Sequence, residues 1–418
     1  MNSTQATHLI ALLHWLRAQY DLTPPYYVHI HQEQCEIGWH SRQRITYLNG
    51  ESTKPEIWQN AVKQIGDQAA RENTKAFGYV GFDAWDNRQG QAPDDSAHFP
   101  SIQFFIPQHR LIFKENNLEY LGNNESLAAQ LKTFKPSSPQ LAVSSCKIDT
   151  TFTEQAFLAA ITAAKQEFSD DLVKVVLSRY ISFTGNTDLL ALFQQYCLQQ
   201  KYADAVLMDF GDVGAAIASP ELLVNIKEGL ISANPLAGTR TLGESEEENA
   251  KIAKSLLCDR KELAEHTLAL LQMVRELQPH CKDNTLVVNK LLNIVYQNHI
   301  MHLSSELHGW LSDDHHCVDA MLALFPSAMV SGVPKAEAIQ LIRRLEGFPR
   351  GLFAGTVGWL SGRNCRFALT IRGIYRYGAK LFVQAGAGVM AESEAAQENE
   401  EIKMKMAAML NVLSGQIS

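Results

Sequence analysis

Residues 385–405, AGAGVMAESEAAQENEEIKMK, constrain this chain more than any other stretch. Gly386 and Gly388 flank an alanine directly after an apolar, strand-like run at 380–384. Glycine there lets backbone approach a ligand closely, and consecutive free N–H groups suit a carboxylate or a phosphate. The stretch continues into a helical pattern in which Glu398, Glu401 and Lys405 are spaced i, i+3, i+7. At 100° per residue these side chains project within about 60° of one another, so two carboxylates and one ammonium share a face. The same spacing also makes a solvated acidic face with an i, i+4 Glu401–Lys405 pair. The rest of the chain has to decide between the two.

The 418 residues suffice for one large domain or two to three ordinary ones. A hydrophobic content of 46% with 20% charged residues is that of a globular protein with an ample core. A formal net charge of −8, with no basic run interleaved with aromatics, argues against a nucleic-acid surface. No apolar run reaches the 18 or so residues of a membrane span. The N-terminal segment lacks the basic lead and cleavage site of a signal peptide, and reads as an amphipathic helix with Leu9, Leu12, Leu13 and Leu16 on one side. Seven scattered cysteines, never in a CxxC pair, suit reduced thiols. The expected location is cytoplasmic.

Residues 21–123 are strand-rich, with candidate strands at 26–31, 35–39, 45–48, 76–84 and 102–113 and one helix at about 56–72. His29 and His31 share a strand face, but nothing nearby completes a metal set, so they read as surface histidines. Lys135-Pro-Ser-Ser-Pro139 is a linker-like break, and Thr151-Phe-Thr-Glu154 has the form of a capping box opening a helix to about Phe168. Residues 173–183 form a strand with Lys174 at its start, where a lysine usually snorkels to solvent. Further strands fall at 205–210, 215–218 and 222–226. Residues 246–277 are a long amphipathic helix broken near Asp259, in which Glu262 and Glu265, i and i+3, again set two carboxylates on one side. Helices at 318–324 and 336–345 flank a Pro/Gly-rich bend, and 352–360, 366–375 and 380–384 read as a closing antiparallel meander. There is no GxGxxG, Walker loop or GxSxG, so nucleotide cofactors and the hydrolase elbow find no support.

The stretches KVVLSR (174–179), SPE (219–221), PLAGTR (235–240), KELAEH (261–266), MHL (301–303), FPSAMVSGVPK (325–335), GTVG (355–358), Ile371-Arg372 and 385–405 together resemble the chorismate-utilising enzymes. That family includes the large subunit of anthranilate synthase and the aminodeoxychorismate, isochorismate and salicylate synthases. Each stretch is weak alone, but all nine come in the family's order. The N-terminal third, through AFGYVGFD and the FFIPQHRLIFKENNLEYLG run, resembles salicylate synthases. The tryptophan-sensing LLES element and a fused glutaminase are missing from the chain, so no glutaminase subunit is expected.

The resemblance implies an α+β fold: one domain over residues 1–418, with two face-packed antiparallel sheets and helices outside. Residues 1–140 would be its strand-rich part and 150–418 the core carrying the motifs. It implies Mg²⁺ held by Glu265, Glu398 and Glu401 with Glu262 beside them. The charges agree, since two carboxylates about 4 Å apart at an effective dielectric of 20 repel by roughly 4 kcal/mol, and a hard divalent cation relieves this. It also implies that Arg372, Lys405 and the amides around Gly386 and Gly388 hold carboxylates of the substrate, chorismate, with Gly238, Thr239, Met329 and Phe353 lining the same site. Lys174 would be the base that activates water against C2, and Glu221 the acid that protonates the departing C4 hydroxyl. A desolvated lysine can be neutral and a desolvated glutamic acid can stay protonated. Amine-transferring relatives usually carry glutamine at the Lys174 position, and aminodeoxychorismate synthases often have a lysine nucleophile where this chain has Ala237. His302 is either catalytic or a buried structural histidine.

Within the family the SGVPK end of 325–335, the overall length and the N-terminal third point to a salicylate synthase, a plausible monomer whose product would serve siderophore assembly. The alternatives are an isochorismate synthase, an ammonia-using relative and a non-catalytic chorismate-binding scaffold. Three departures favour the first alternative. Met329 stands where lyase-competent relatives usually have threonine, Phe353 where they have tyrosine, and Asn234 where glutamate or threonine is common. The GTVGW segment at 355–359 is also closer to isochorismate synthases.

Overall fold

In a computed structural model, residues 3–48, 55–85, 100–114, 117–136, 145–169, 172–186, 188–200, 204–297 and 300–414 are described. Most of the 135–139 break lies outside them. Alternating and continuous apolar runs become nineteen strands, and every pairing among them is antiparallel. From Ser145–Thr151 the ladder runs through Lys174–Asn186, Lys380–Val389, Gly373–Tyr377, Val213–Ser219, Asp204–Asp209 and Tyr26–His31 to Gln34–Leu48. It continues through Pro100–Lys114, Ala76–Val80, Thr356–Ser361, Asn364–Leu369, Leu222–Lys227 and Leu230–Asn234. It ends at Ile300–Trp310, to which Leu236–Thr241 and Val287–Gln297 attach. The Lys174 strand and the PLAGTR strand therefore lie near opposite ends of one pairing path.

Helices cover this sheet through apolar faces. The N-terminal helix Ser3–Tyr20 buries Leu9, Leu12, Leu13 and Leu16, as its spacing predicts. The pattern at 246–277 resolves into Glu246–Leu257 and Arg260–Leu277, with the break at Asp259. The Asp259 side chain caps the second helix, accepting from the amides of Lys261 and Glu262. No helix of the described residues is long and apolar enough to cross a membrane.

Four local expectations change. The capping residue before helix Glu154–Glu167 is Thr153 rather than Thr151, because Thr151 is still paired with Ile181 in the ladder. Strands 35–39 and 45–48 are one strand, Gln34–Leu48, which follows Pro100–Lys114 along its length through an irregularity at Ser41/Gln43. His29 is not a surface histidine. Its strand lies between two others, and its Nε2 bonds Asp204 Oδ1 at 2.7 Å while Arg366 grips the same carboxylate at 2.8 and 2.7 Å. Lys174 does not snorkel; it is fully buried.

The bend at 325–335 reaches the Lys174 strand through Gly332–Val333, which pair with Val175 and Lys174. Gly332 has φ +146°, and a Cβ there would sit 2.3 Å from the Lys174 carbonyl oxygen, so only glycine permits this approach. A fully buried ion pair locks the junction. Arg350 donates to Glu346 Oε2 (2.9 Å) and Oε1 (2.6 Å), to the Val176 carbonyl (2.6 Å) and to the Val330 carbonyl (2.9 Å). Glu346 also accepts from the Ser178 amide and hydroxyl.

Removing one member of such a pair strands the other charge in the core. Arg350→Met should therefore cost about 3–5 kcal/mol of stability, read from the denaturant midpoint. The double change Glu346→Leu/Arg350→Met should cost less than Arg350→Met alone; an equal or larger loss in the double variant would contradict this reading.

Candidate active site

The two ends of the pairing path meet at a cavity of about 110 Å³. One side of its wall comes from the Lys174 strand and Lys380–Val389, through Val176, Gln384, Gly386 and Gly388. The other comes from Leu236–Thr241 and Ile300–Trp310, through Gly238, Thr239 and His302. Helix Arg260–Leu277 adds Glu262 and Glu265, and the C-terminal helix Ala395–Ser414 adds Glu401 and Lys405. Glu221, Met329, Phe353 and Arg372 arrive on connecting segments. Every site residue singled out from the sequence lines this cavity except Lys174, which pairs with Glu265 of the wall, and Glu398, which pairs with Lys261 outside it.

Lys174 Nζ lies 3.0 Å from Glu265 Oε1. Burial alone would push the Glu265 carboxyl up, but Lys174, with Lys261 and Lys405 beyond it, outweighs burial and holds it below its ordinary value. Gly388 makes the contact possible, because a Cβ there would sit 2.0 Å from Glu265 Oε1. This corrects the reading of the two glycines as consecutive ligand-facing amides. Residues 385–389 are laddered to the Lys174 strand, so their N–H groups alternate in direction, and the space at Gly388 is taken by a carboxylate.

Glu221 shows the opposite electrostatics. Its side chain is buried, and its recorded hydrogen bond is a long one from the Leu236 amide, 3.5 Å. Burial pushes its carboxyl up to about 8 against the opposing pull of that amide, Lys174 and Lys405. His302 is buried, its Nδ1 3.1 Å from Thr239 Oγ1, and burial with the nearby Arg372 pushes it down to about 4. It is a neutral imidazole at pH 7, and its Nε2 has no hydrogen-bond partner among the described residues. Arg372 takes the left-handed backbone region (φ +54°), with its carbonyl held by the Ala218 amide and the Tyr196 hydroxyl.

The four glutamates predicted as a metal set are not drawn together here. Among the described residues no group of three His, Cys, Asp or Glu side chains is placed to hold a metal ion. Each carboxylate instead meets a cation of the chain: Glu262 with Arg240 (3.2 Å), Glu265 with Lys174, Glu401 with Lys405 (2.5 Å) and Glu398 with Lys261 (2.5 Å). Burial raises the Glu262 carboxyl, with Glu265 and Glu401 adding to it, and burial also raises Glu398 despite Lys261. Oxygen-only donors, two carboxyls under strain and a buried Glu398 Oε2 without a hydrogen-bond partner fit a hard divalent cation.

The sequence reading passed over Arg240 and Lys261 as counter-ions, although both stand inside the PLAGTR and KELAEH stretches. It also missed Val176, Val330 and Gln384 in the wall. The two valines look like any core residue in the sequence, and Gln384 shows its role only through its 2.8 Å bond to the Ser178 hydroxyl behind the wall.

The model of the chorismate binding enzyme family matches residues 23–411. Anthranilate synthase component 1 of Aquifex aeolicus is 35% identical over 267 residues, which cover 63% of this chain and 53% of that protein. Thus only about half the length of that relative is spanned. The Acetivibrio thermocellus protein of the same name is 29% identical over 378 residues, 82% of this chain and 76% of its own. The fold is that of anthranilate synthase component I from Streptococcus pneumoniae (TM-score 0.76, 24% identity, 91% of this chain and 92% of that one). It is equally that of the menaquinone-specific isochorismate synthase from Escherichia coli (TM-score 0.75, 21% identity, 97% and 91%).

A glutamic acid pushed up to about 8 is neutral at pH 7. Its protonation favours the folded state at low pH, and that contribution is lost as the pH rises through about 8. Infrared difference spectra should show a protonated-carboxyl band at pH about 6.5 that is gone by about 9.5 and is absent from Glu221→Gln. A band that survives the substitution would place the neutral acid elsewhere.

Proposed function

The chain belongs to the chorismate-binding enzyme family, and on that premise we propose that it is a magnesium-dependent salicylate synthase, converting chorismate through isochorismate to salicylate and pyruvate. The observation that carries this reading is the pairing of a fully buried lysine, Lys174, with a nearby glutamic acid that is neutral at pH 7, Glu221. Water addition needs a base and an acid at one site, each kept from solvent.

In the first step a water oxygen bonds to C2 of chorismate while Lys174 Nζ takes its proton, acting as the free amine and not as the ammonium that meets Glu265 in the resting site. Both ring double bonds shift, from C1–C2 to C1–C6 and from C5–C6 to C4–C5, the C4–O bond breaks, and Glu221 gives its proton to the departing hydroxyl, which leaves as water. In the second step the C2 hydrogen passes to the enolpyruvyl methylene as the C3–O bond breaks. This releases pyruvate and leaves the ring aromatic. That step calls for a held conformation more than for an acid or a base.

Arg372 and Lys405, which meet at the Lys405 carbonyl (3.3 Å), are the cations available to the substrate's carboxylates. Neutral His302 and the Thr239 hydroxyl offer a polar edge without adding charge. Glu265, Glu398 and Glu401, with Glu262 beside them, are the residues to hold Mg²⁺, which supplies a fixed positive charge for the ring carboxylate. A lysine at 174 favours water over ammonia, so no glutaminase partner is required. Free thiols at all seven cysteines agree with a reducing, cytoplasmic setting.

A second reading, an isochorismate synthase, rests on one observation: Met329 and Phe353 both line the cavity. A thioether and a phenyl ring offer no hydroxyl for orienting the enolpyruvyl group.

Incubated with chorismate and Mg²⁺ without ammonia, the protein should yield salicylate and pyruvate in equal amounts by chromatography. Isochorismate alone would establish the second reading and make Met329→Thr the variant to test for recovered pyruvate release. Lys174→Ala should lower turnover by about 10²–10⁴-fold with Mg²⁺ binding largely kept. Because Glu221 must carry its proton, turnover should fall as the pH rises through about 8. A rate still climbing well past that range would remove Glu221 from the acid role.

A further inference from the structure

The four cations that neutralise the glutamates differ in how readily they can leave. Lys174 has no exposed surface. Arg240 is also bound to Asp259 at 2.7 Å and to the Thr239 carbonyl at 2.9 Å. Lys405 donates to the Gly386 carbonyl at 2.8 Å as well as to Glu401. For Lys261, Glu398 Oε1 is the single side-chain acceptor among the described residues, and its side chain keeps 25% of its surface in solvent.

Glu398 is the reverse case. Its side chain is 1% exposed, its Oε1 is 2.5 Å from Lys261 Nζ, and its Oε2 is buried without a hydrogen-bond partner among the described residues. The carboxylate cannot turn out to water, whereas the ammonium can. The position of Lys261 is also electrostatically unusual. It lies in the first turn of helix Arg260–Leu277, where the helix dipole disfavours a positive charge, while Glu398 lies in the first turn of Ala395–Ser414, where a negative charge is favoured. The first two turns of these helices carry Glu262 and Glu265 on one side and Glu398 and Glu401 on the other. The single Lys261–Glu398 contact joins them.

We propose that Lys261 is an internal counter-ion that holds the place of the divalent cation at Glu398, and that a metal ion binds only by displacing it. This rests on the glutamates being the metal site, as proposed above. The lysine keeps four carboxylates tolerable near one another in the metal-free enzyme. Apparent metal affinity is then lowered by the fraction of molecules in which the lysine occupies Glu398. Loading therefore follows the supply of free divalent cation.

The test is Mg²⁺ titration of the substrate-free protein by calorimetry near pH 8, with Mn²⁺ electron paramagnetic resonance as a second readout. Neither depends on turnover. Lys261→Met, which keeps the length and drops the charge, should bind metal at least tenfold more tightly than the parent chain. Lys261→Arg, which keeps the charge, should stay weak, and Lys254→Met on the exposed face of the preceding helix should change nothing. Should Lys261→Met fold poorly, Lys261→Gln serves in its place, since it can still donate one hydrogen bond to Glu398. Equal or weaker binding by the charge-removed variant, with clear binding by the parent, would overturn the displacement role and leave the metal site standing. No metal bound by either protein would overturn both.

Discussion

The contact between the Lys174 ammonium and the Glu265 carboxylate is the interaction on which the site depends. A lysine with no exposed surface can stay charged only beside a carboxylate, and a buried carboxylate only beside a cation. That demand fixes how the helix Arg260–Leu277 must approach the strand Lys174–Asn186. The approach sets two further conditions, both met by glycine. Gly388 leaves the volume that Glu265 fills, and Gly332 lets the Met329 segment lie against the carbonyl of Lys174 itself. The PLAGTR strand, far along the pairing path from Lys174, is then brought to the same cavity as Gly386 and Gly388. Closing the ends of an antiparallel network over one another is how a sheet of this size makes an interior without a separate lid domain.

The same ion pair sorts two chemically identical side chains. Glu221 is buried and Glu265 keeps only 14% of its side chain exposed, yet the first is pushed up to about 8 and the second is held below its ordinary value. The difference is the 3.0 Å contact to Lys174, which Glu265 has and Glu221 feels only at a distance. One carboxyl is thereby kept as an acid with a proton to give and the other as a fixed anion. The helix spacing that puts Glu262 beside Glu265 and Glu398 near Glu401 could not be tolerated in a buried setting unless each charge were met. Here each is met by one cation from the chain.

Much of this was legible in the sequence because the motifs are local and the chemistry is carried by residue type. The strand and helix periods located most elements, the break near Asp259 was expected and its capping side chain accounts for it, and thirteen of the site residues named from the resemblance line the cavity. What was not legible depends on pairings across the fold. Nothing in the run around Lys174 says that its strand will be paired along both edges, so its lysine looks like any other at a strand end. His29 looks like a surface residue until its strand is flanked by two others and Asp204 and Arg366 come to meet it. Gly388 looks like a ligand-facing glycine until Glu265 arrives from more than a hundred residues earlier. Lys261 and Arg240 stand inside the KELAEH and PLAGTR motifs, but only the folded chain shows that their charges close the balance of the glutamate set.

The balance between the two outcomes of the chemistry falls to a different part of the wall. The proposed pyruvate-releasing step would depend on how the enolpyruvyl arm is folded against the ring, and so on the shape of the apolar surface at Met329, Val330 and Phe353. That surface is not free to adjust. The Arg350 guanidinium holds the Val330 carbonyl and the Val176 carbonyl and lies over the rings of Phe82 and Phe353, 4.6 and 5.6 Å from their centroids. Glu346, bound to Arg350, in turn fixes the Ser178 amide and hydroxyl, and Gln384 reaches that hydroxyl from the cavity side. A wall held this rigidly can impose a reactive conformation on the arm without supplying a hydroxyl to hold it. The loss of polar groups at Met329 and Phe353 is therefore compatible with pyruvate release, provided that the packing of those two side chains fits the folded arm.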